Sequence, residues 1–141
     1  MNTALATASI SIAASVSKVW EALTKPEMVK EYLFGTDMYT TWEVGSPITY
    51  TGVREGKPYT DKGEIKEFVP NQKIVTSYWS PASGLSDSPE NYKTVTYEVA
   101  AVGDTTTVTI TQDNNKNEDE AKYSEQNWKM VLDGMKKLLE K

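Results

Sequence analysis

Histidine and cysteine are both absent from this 141-residue chain, and the two absences remove whole classes of chemistry. A zinc site would have to be assembled from carboxylates alone, which is uncommon. A Ser-His-Asp triad, a Cys-His dyad and a redox dithiol are excluded. Basic charge is also scarce: 15 Lys and Arg stand against 20 Asp and Glu, a net charge of -5. A nucleic-acid binder needs a basic face to displace counterions from phosphates, and no run of lysines of the membrane-recruiting kind is present. No segment approaches the length of a membrane-spanning helix, so no membrane insertion is expected. The small-residue start, residues 1–8, lacks the charged n-region of a secretory signal. Its first basic residue is Lys18, and Thr3, Thr7, Ser9 and Ser11 interrupt the apolar run. An early strand explains it better, and a cytoplasmic location is the default expectation.

Phenylalanine is nearly missing as well, with two against eight tyrosines and four tryptophans. Buried Tyr and Trp need partners for their polar atoms, so a wholly dry core would favour Phe. What remains is ordinary for a globular protein, 38% hydrophobic and 25% charged, and the length fits one domain over 1–141 with one sizeable core.

The hydrophobic periods give the order of elements. Residues 3–12 alternate as a strand does. Ser15 can cap a helix carrying Val16, Val19, Trp20 and Leu23, and Thr24-Lys25-Pro26-Glu27 predicts a second helix capped by Thr24. That helix carries Met28, Val29, Tyr32 and Leu33 and stops near Gly35. Strands are expected over 37–43, 48–54, 59–69, 73–79, 92–102 and 105–112, the second and third joined by the four-residue loop Glu55-Gly56-Lys57-Pro58. With Arg54 facing Tyr59, Gly52 would face Asp61, Tyr50 would face Gly63 and Ile48 would face Ile65. All would share the concave face. Residues 80–91 form a long polar loop, read as a mobile connection or a lid. Asn117 caps a long C-terminal helix, with Glu120 three residues on and the acidic run 118–120 at the positive end of its dipole. Ala121, Ser124, Trp128, Val131, Leu132, Met135, Leu138 and Leu139 form its apolar stripe. A sheet solvated on one face needs a cover on the other, and only this helix is long enough.

This order and several local patterns resemble the helix-grip fold of the START-like (SRPBCC) superfamily. The closer likeness is to proteins related to the C-terminal domain of the activator of the ninety-kilodalton heat-shock chaperone ATPase. The matching stretches include Val19-Trp20-Glu21-Ala22-Leu23-Thr24-Lys25-Pro26-Glu27, Trp42-Glu43-Val44-Gly45-Ser46-Pro47-Ile48 and Gly63-Glu64-Ile65. Others are Val95-Thr96-Tyr97-Glu98-Val99, Thr107-Val108-Thr109-Ile110-Thr111-Gln112 and Trp128 with Leu132. Members often carry Gly-Gly where Gly45-Ser46 stands and Gly-Trp where Asn127-Trp128 stands. The resemblance implies an α+β fold in which a curved antiparallel sheet, in the order strand, two helices, six strands, wraps a long C-terminal helix and leaves a hydrophobic cavity. A chaperone partner is implied by the family name, yet the activators engage the chaperone partly through a separate N-terminal domain, for which a single-domain chain leaves no room.

The expected cavity lining is Tyr50, Ile65, Ile74, Tyr78, Tyr97, Val108, Gln112 and Trp128, with the tyrosine hydroxyls offering hydrogen bonds beside the apolar wall. Gln112 is expected either near the cavity or at a solvated strand end, and Trp128 as the anchor of the helix. Asp61, Glu67 and Arg54 are the possible acid-base groups, read as solvated at strand ends and therefore not catalytic. No metal ligand set or cofactor is expected. The leading expectation is a non-enzymatic binding domain for a small hydrophobic or amphipathic molecule. The alternatives are a protein-interaction module that modulates a chaperone ATPase, and a cyclase- or hydrolase-like enzyme using a cavity carboxylate.

Overall fold

Seven strands form one antiparallel sheet in the order β1-β7-β6-β5-β4-β3-β2. They are β1 (Ala4–Ile12), β2 (Asp37–Tyr39), β3 (Pro47–Arg54), β4 (Lys57–Val69), β5 (Lys73–Tyr78), β6 (Lys93–Val102) and β7 (Thr105–Asn115). Helices α1 (Val16–Thr24) and α2 (Pro26–Tyr32) follow β1, and α3 (Glu118–Leu139) ends the chain. The structure, a computed structural model, describes residues 4–33 and 35–140. The expected strand start at Thr3 and the side chain of Arg54 lie outside the described residues. The architecture is the α+β helix grip, with α3 lying across the concave face of the curved sheet.

Local chemistry sets the ends of the helices. Ser15 accepts the Lys18 amide at 3.2 Å, and Asn117 accepts the Glu120 amide at 2.9 Å, which satisfies donors that each first turn leaves open. Thr24 does not cap α2. Its hydroxyl donates back to the Trp20 carbonyl at 2.8 Å, and Lys25 occupies the cap position with no side-chain bond.

The β3–β4 hairpin is tighter than the sequence suggested. Glu55 and Gly56 both have positive φ, 52° and 79°, the conformation of a two-residue turn whose twist matches the flanking strands. The loop is therefore Glu55-Gly56, and the register is Arg54 to Lys57, Gly52 to Tyr59, Tyr50 to Asp61 and Ile48 to Gly63. Each partner moves by two residues, so every side chain stays on the expected face. The tyrosine ring over a glycine is Tyr59 over Gly52, where an added Cβ would come within 2.7 Å of the Tyr59 hydroxyl. Gly63 answers a different need. A Cβ there would lie 1.8 Å from the Ser77 carbonyl oxygen of β5.

Two irregularities turn the sheet. Between Ile65 and Glu67 the β4–β5 register shifts by one residue, so the inward position passes from Ile65 to Phe68 and Glu67 is left exposed. Strand β2 ends at Tyr39 rather than Glu43, and Trp42 takes a φ of 65°. Its ring then turns inward against Phe68, 5.5 Å between centroids, and its indole donates to the Thr24 carbonyl at 3.2 Å. The core between sheet and helices is fully buried at Ile12, Val19, Ile48, Ile65, Ile74, Val108, Ile110, Leu132 and Met135.

Candidate functional site

A void remains where α3 crosses the sheet beside α1 and α2. The first two helices contribute Leu23, Val29, Tyr32 and Leu33 to its wall, and β2 with the following turn contributes Met38 and Trp42. The sheet adds Ile48, Tyr50, Ile74, Thr76, Tyr97 and Ile110, and α3 adds Trp128, Val131 and Met135. Its volume is about 30 Å³, enough for one or two waters.

Four of the expected residues, Tyr50, Ile74, Tyr97 and Trp128, line this void. Ile65 and Val108 face the same way but are packed solid, each 0% exposed. Tyr78 stands behind Tyr50, the rings meeting edge-on at 6.3 Å. Gln112 is neither at the void nor solvated. Its Oε1 accepts the Trp128 indole at 3.0 Å, and its amide donates to Asn115 at 2.9 Å and to Ser124 at 3.1 Å. Trp128 is thereby held with its ring perpendicular to Tyr97, 5.9 Å between centroids. The contributions of α1, α2, Met38 and Trp42 to the wall were not anticipated. The helical stripes carried that signal for Leu23, Val29, Tyr32 and Leu33, but nothing in the sequence marks the backbone reversal that turns Trp42 inward.

Burial keeps the phenols neutral. Tyr50 is pushed well above the ordinary tyrosine range by burial and then by Tyr97, and Tyr32 is raised by the same two causes in the same order. Burial lifts Tyr97 from 10.0 to about 12, against a smaller opposing effect of its hydrogen bond with Tyr50. Tyr78 is raised by burial and next by its hydrogen bond to Asp61. The wall thus combines apolar carbon with uncharged hydroxyls that can donate or accept.

Asp61 is not a solvated strand end. The short turn starts β4 at Lys57, which puts Asp61 inside the strand, 4% exposed, with Oδ2 accepting from the Tyr78 hydroxyl at 2.6 Å. Glu67 points outward and pairs with Lys73 at 3.2 Å. Among the described residues no group of three or more carboxylates comes together as a metal site. The acidic start of α3 is engaged differently, with Glu120 accepting the Lys116 amide at 2.7 Å and Lys93 at 3.0 Å. Residues 80–91 fold into two short 3-10 turns fastened to the outer face of the sheet. There Asp87 pairs with Lys62 and accepts from Tyr92, and Trp79 stacks on Tyr92. That loop does not cover the void.

A curved antiparallel sheet gripping a long helix is the pattern of a START-like domain. The chain belongs to the family described as Activator of Hsp90 ATPase homolog 1-like protein, whose model matches residues 13–140. Among solved structures it is similar to ChR145 from Cytophaga hutchinsonii, at 44% identity and a TM-score of 0.86 over 99% of this chain and 97% of that one. The Aha1 dimer from Colwellia psychrerythraea shares the fold at 21% identity and a TM-score of 0.74, covering 96% of this chain and 95% of that one. So does DynU16, a protein of the dynemicin biosynthetic locus, at 18% identity and 0.79, with 96% of this chain matching 47% of that one. No curated protein matches the chain. Among the described residues no helix is long and apolar enough to cross a membrane.

Proposed function

We propose that the chain binds a small hydrophobic or amphipathic molecule between the sheet and α3. The observation that carries this reading is the void itself: it lies under the one long helix, and three neutral phenols and two indoles stand in its wall. Pockets for small molecules are mostly apolar with a few placed polar groups, and this wall has that composition. The void is small as it stands, so a ligand enters by moving α3 and α2 away from the sheet. Tyr50, Ile74, Tyr97 and Trp128 are the contacts; Ile65 and Val108 back them, and Tyr78 and Gln112 hold Tyr50 and Trp128 in place.

A native mass spectrum of freshly purified protein tests whether a small molecule co-purifies, and titration with an environment-sensitive apolar dye tests the site. Tyr97→Trp should weaken dye binding by about tenfold, the effect of about 1.4 kcal/mol, and weaken binding more than folding, because the larger ring fills the space a ligand would use. Lys129→Ala, on the exposed side of α3, should change neither. Absence of binding by every member of a chemically broad apolar panel would end this reading.

A further inference from the structure

One buried polar atom on the concave face has no partner among the described residues. Asp61 Oδ2 is committed to Tyr78, but Oδ1 bonds to nothing among the described residues, although the residue is only 4% exposed. None of the ion pairs among the described residues involves it. Native proteins satisfy nearly all such atoms, and an exception calls for a reason.

Its position supplies one. Asp61 faces Tyr50 directly across the β3–β4 ladder, and Tyr50 lines the void. The unpaired oxygen therefore lies one cross-strand step beyond the apolar wall, on the same face of the sheet. The rings of Tyr50 and Tyr78 meet there, and the hydroxyls of Thr36 and Tyr59 are already bonded to one another further along.

We propose that Asp61 is the polar end of the binding site: its free Oδ1 receives a hydrogen-bond donor from the head group of an amphipathic ligand, a hydroxyl or a protonated amine, while the apolar body occupies the void under α3. This rests on the ligand-binding reading above and adds the chemistry of the ligand's head. A carboxylate is acceptor-only, and Tyr78 already fills one of its oxygens, so the site rewards a donor and penalises an anionic head group that brings only acceptors. The unfilled oxygen destabilises the empty protein, which is the usual cost of a preformed polar contact in a binding site.

The test uses three probes with one apolar body: octylamine, octan-1-ol and octanoate. Each is titrated into the full chain while the indole N–H resonances of Trp128 and Trp42, both in the wall, report occupancy. The amine and the alcohol should each bind about tenfold or more tighter than octanoate, the scale of one hydrogen bond to a charged group. The alcohol guards against a mere attraction of cations to an acidic protein. In Asp61→Asn the acceptor toward Tyr78 can be kept while an amide N–H replaces the free oxygen. The order should then reverse, with octanoate binding at least as well as octylamine, and the variant should melt no lower than the parent. Equal binding of all three probes by the parent protein, or an unchanged order in Asp61→Asn with a lowered melting temperature, would make Asp61 a structural residue and overturn this inference alone. No binding by any of the three would overturn it together with the ligand-binding reading.

Discussion

Base should unfold this protein through its own tyrosines. Tyr32, Tyr50, Tyr78 and Tyr97 are all held protonated above their ordinary range, chiefly by burial. Once pH passes the unfolded value, the unfolded chain binds fewer protons than the folded one, and stability falls as pH rises. For Tyr97 the folded value is about 12 against 10.0, a difference of about 3 kcal/mol that is fully present below about pH 10 and lost by about pH 12. The other three are also raised. With all four protons retained by the folded state alone, stability falls by about 5 kcal/mol per pH unit. A domain of ordinary stability, about 5–15 kcal/mol, should then unfold within about one to three pH units above 10. Phenolate absorbance and far-ultraviolet circular dichroism, recorded together through a base titration, check this. The signal of four phenols should appear only as the circular dichroism collapses. A smooth rise of that absorbance with the fold intact would show that these rings are hydrated, and the account of the cavity wall would fail with it.

Other perturbations probe the frame around the site. Gly63→Ala should destabilise by about 3 kcal/mol, because its Cβ would meet backbone, the Ser77 carbonyl at 1.8 Å. Gly52→Ala should cost about 1 kcal/mol, since the atoms it meets belong to the movable Tyr59 ring; chemical denaturation of both variants would expose a wrong reading if the costs were equal. Trp128→Phe leaves the Gln112 carbonyl unpaired and should cost about 1–3 kcal/mol, with the Gln112 amide resonances shifting in the same variant. Removing residues 117–141 takes away the long helix that covers the concave face, and a truncated chain that still melts sharply at the parent temperature would refute the architecture.

The fold was legible because its signals are periodic. Alternation marked the strands, the caps at Ser15 and Asn117 marked two helix starts, and one long apolar stripe could only cover the sheet. The misreadings came from turns. Glu55-Gly56 makes a two-residue turn without the Asn or Asp that usually announces one, so the hairpin register was placed two residues away. The period of a strand is two, so the inward set survived although each partner changed. The same slip hid the burial of Asp61, which moved from an expected strand end to the interior of β4. The bulge after Ile65 did the opposite to Glu67, turning it outward, and nothing in a single sequence announces a bulge there. Among the predicted lining residues, period two could say that Ile65 and Val108 point inward. It could not say that α3 packs against β1 and β7 and leaves the void beside Tyr97 and Ile74, because that placement depends on the curvature of the whole sheet.

The skewed aromatic set, which first suggested a cavity, divides sharply once each polar atom is placed. Tyr32 donates to the Ala22 carbonyl at 2.8 Å, Tyr78 to Asp61, Trp42 to the Thr24 carbonyl and Trp128 to Gln112, while Tyr59 bonds Thr36 and Tyr92 bonds Asp87. Those rings are Tyr and Trp rather than Phe because each holds a fixed partner within the fold, and no ligand is needed to account for them. Tyr50 and Tyr97 are different. Their hydroxyls address one another, and both rings line the void. Among the eight tyrosines and four tryptophans, these two phenols face one another in the wall, and the unpaired oxygen of Asp61 lies one cross-strand step behind the first of them. A donor-bearing ligand arriving there would lay its apolar body against these two rings and fill the oxygen that the fold leaves open. The gain lies at that one oxygen, which the purely structural aromatics cannot offer.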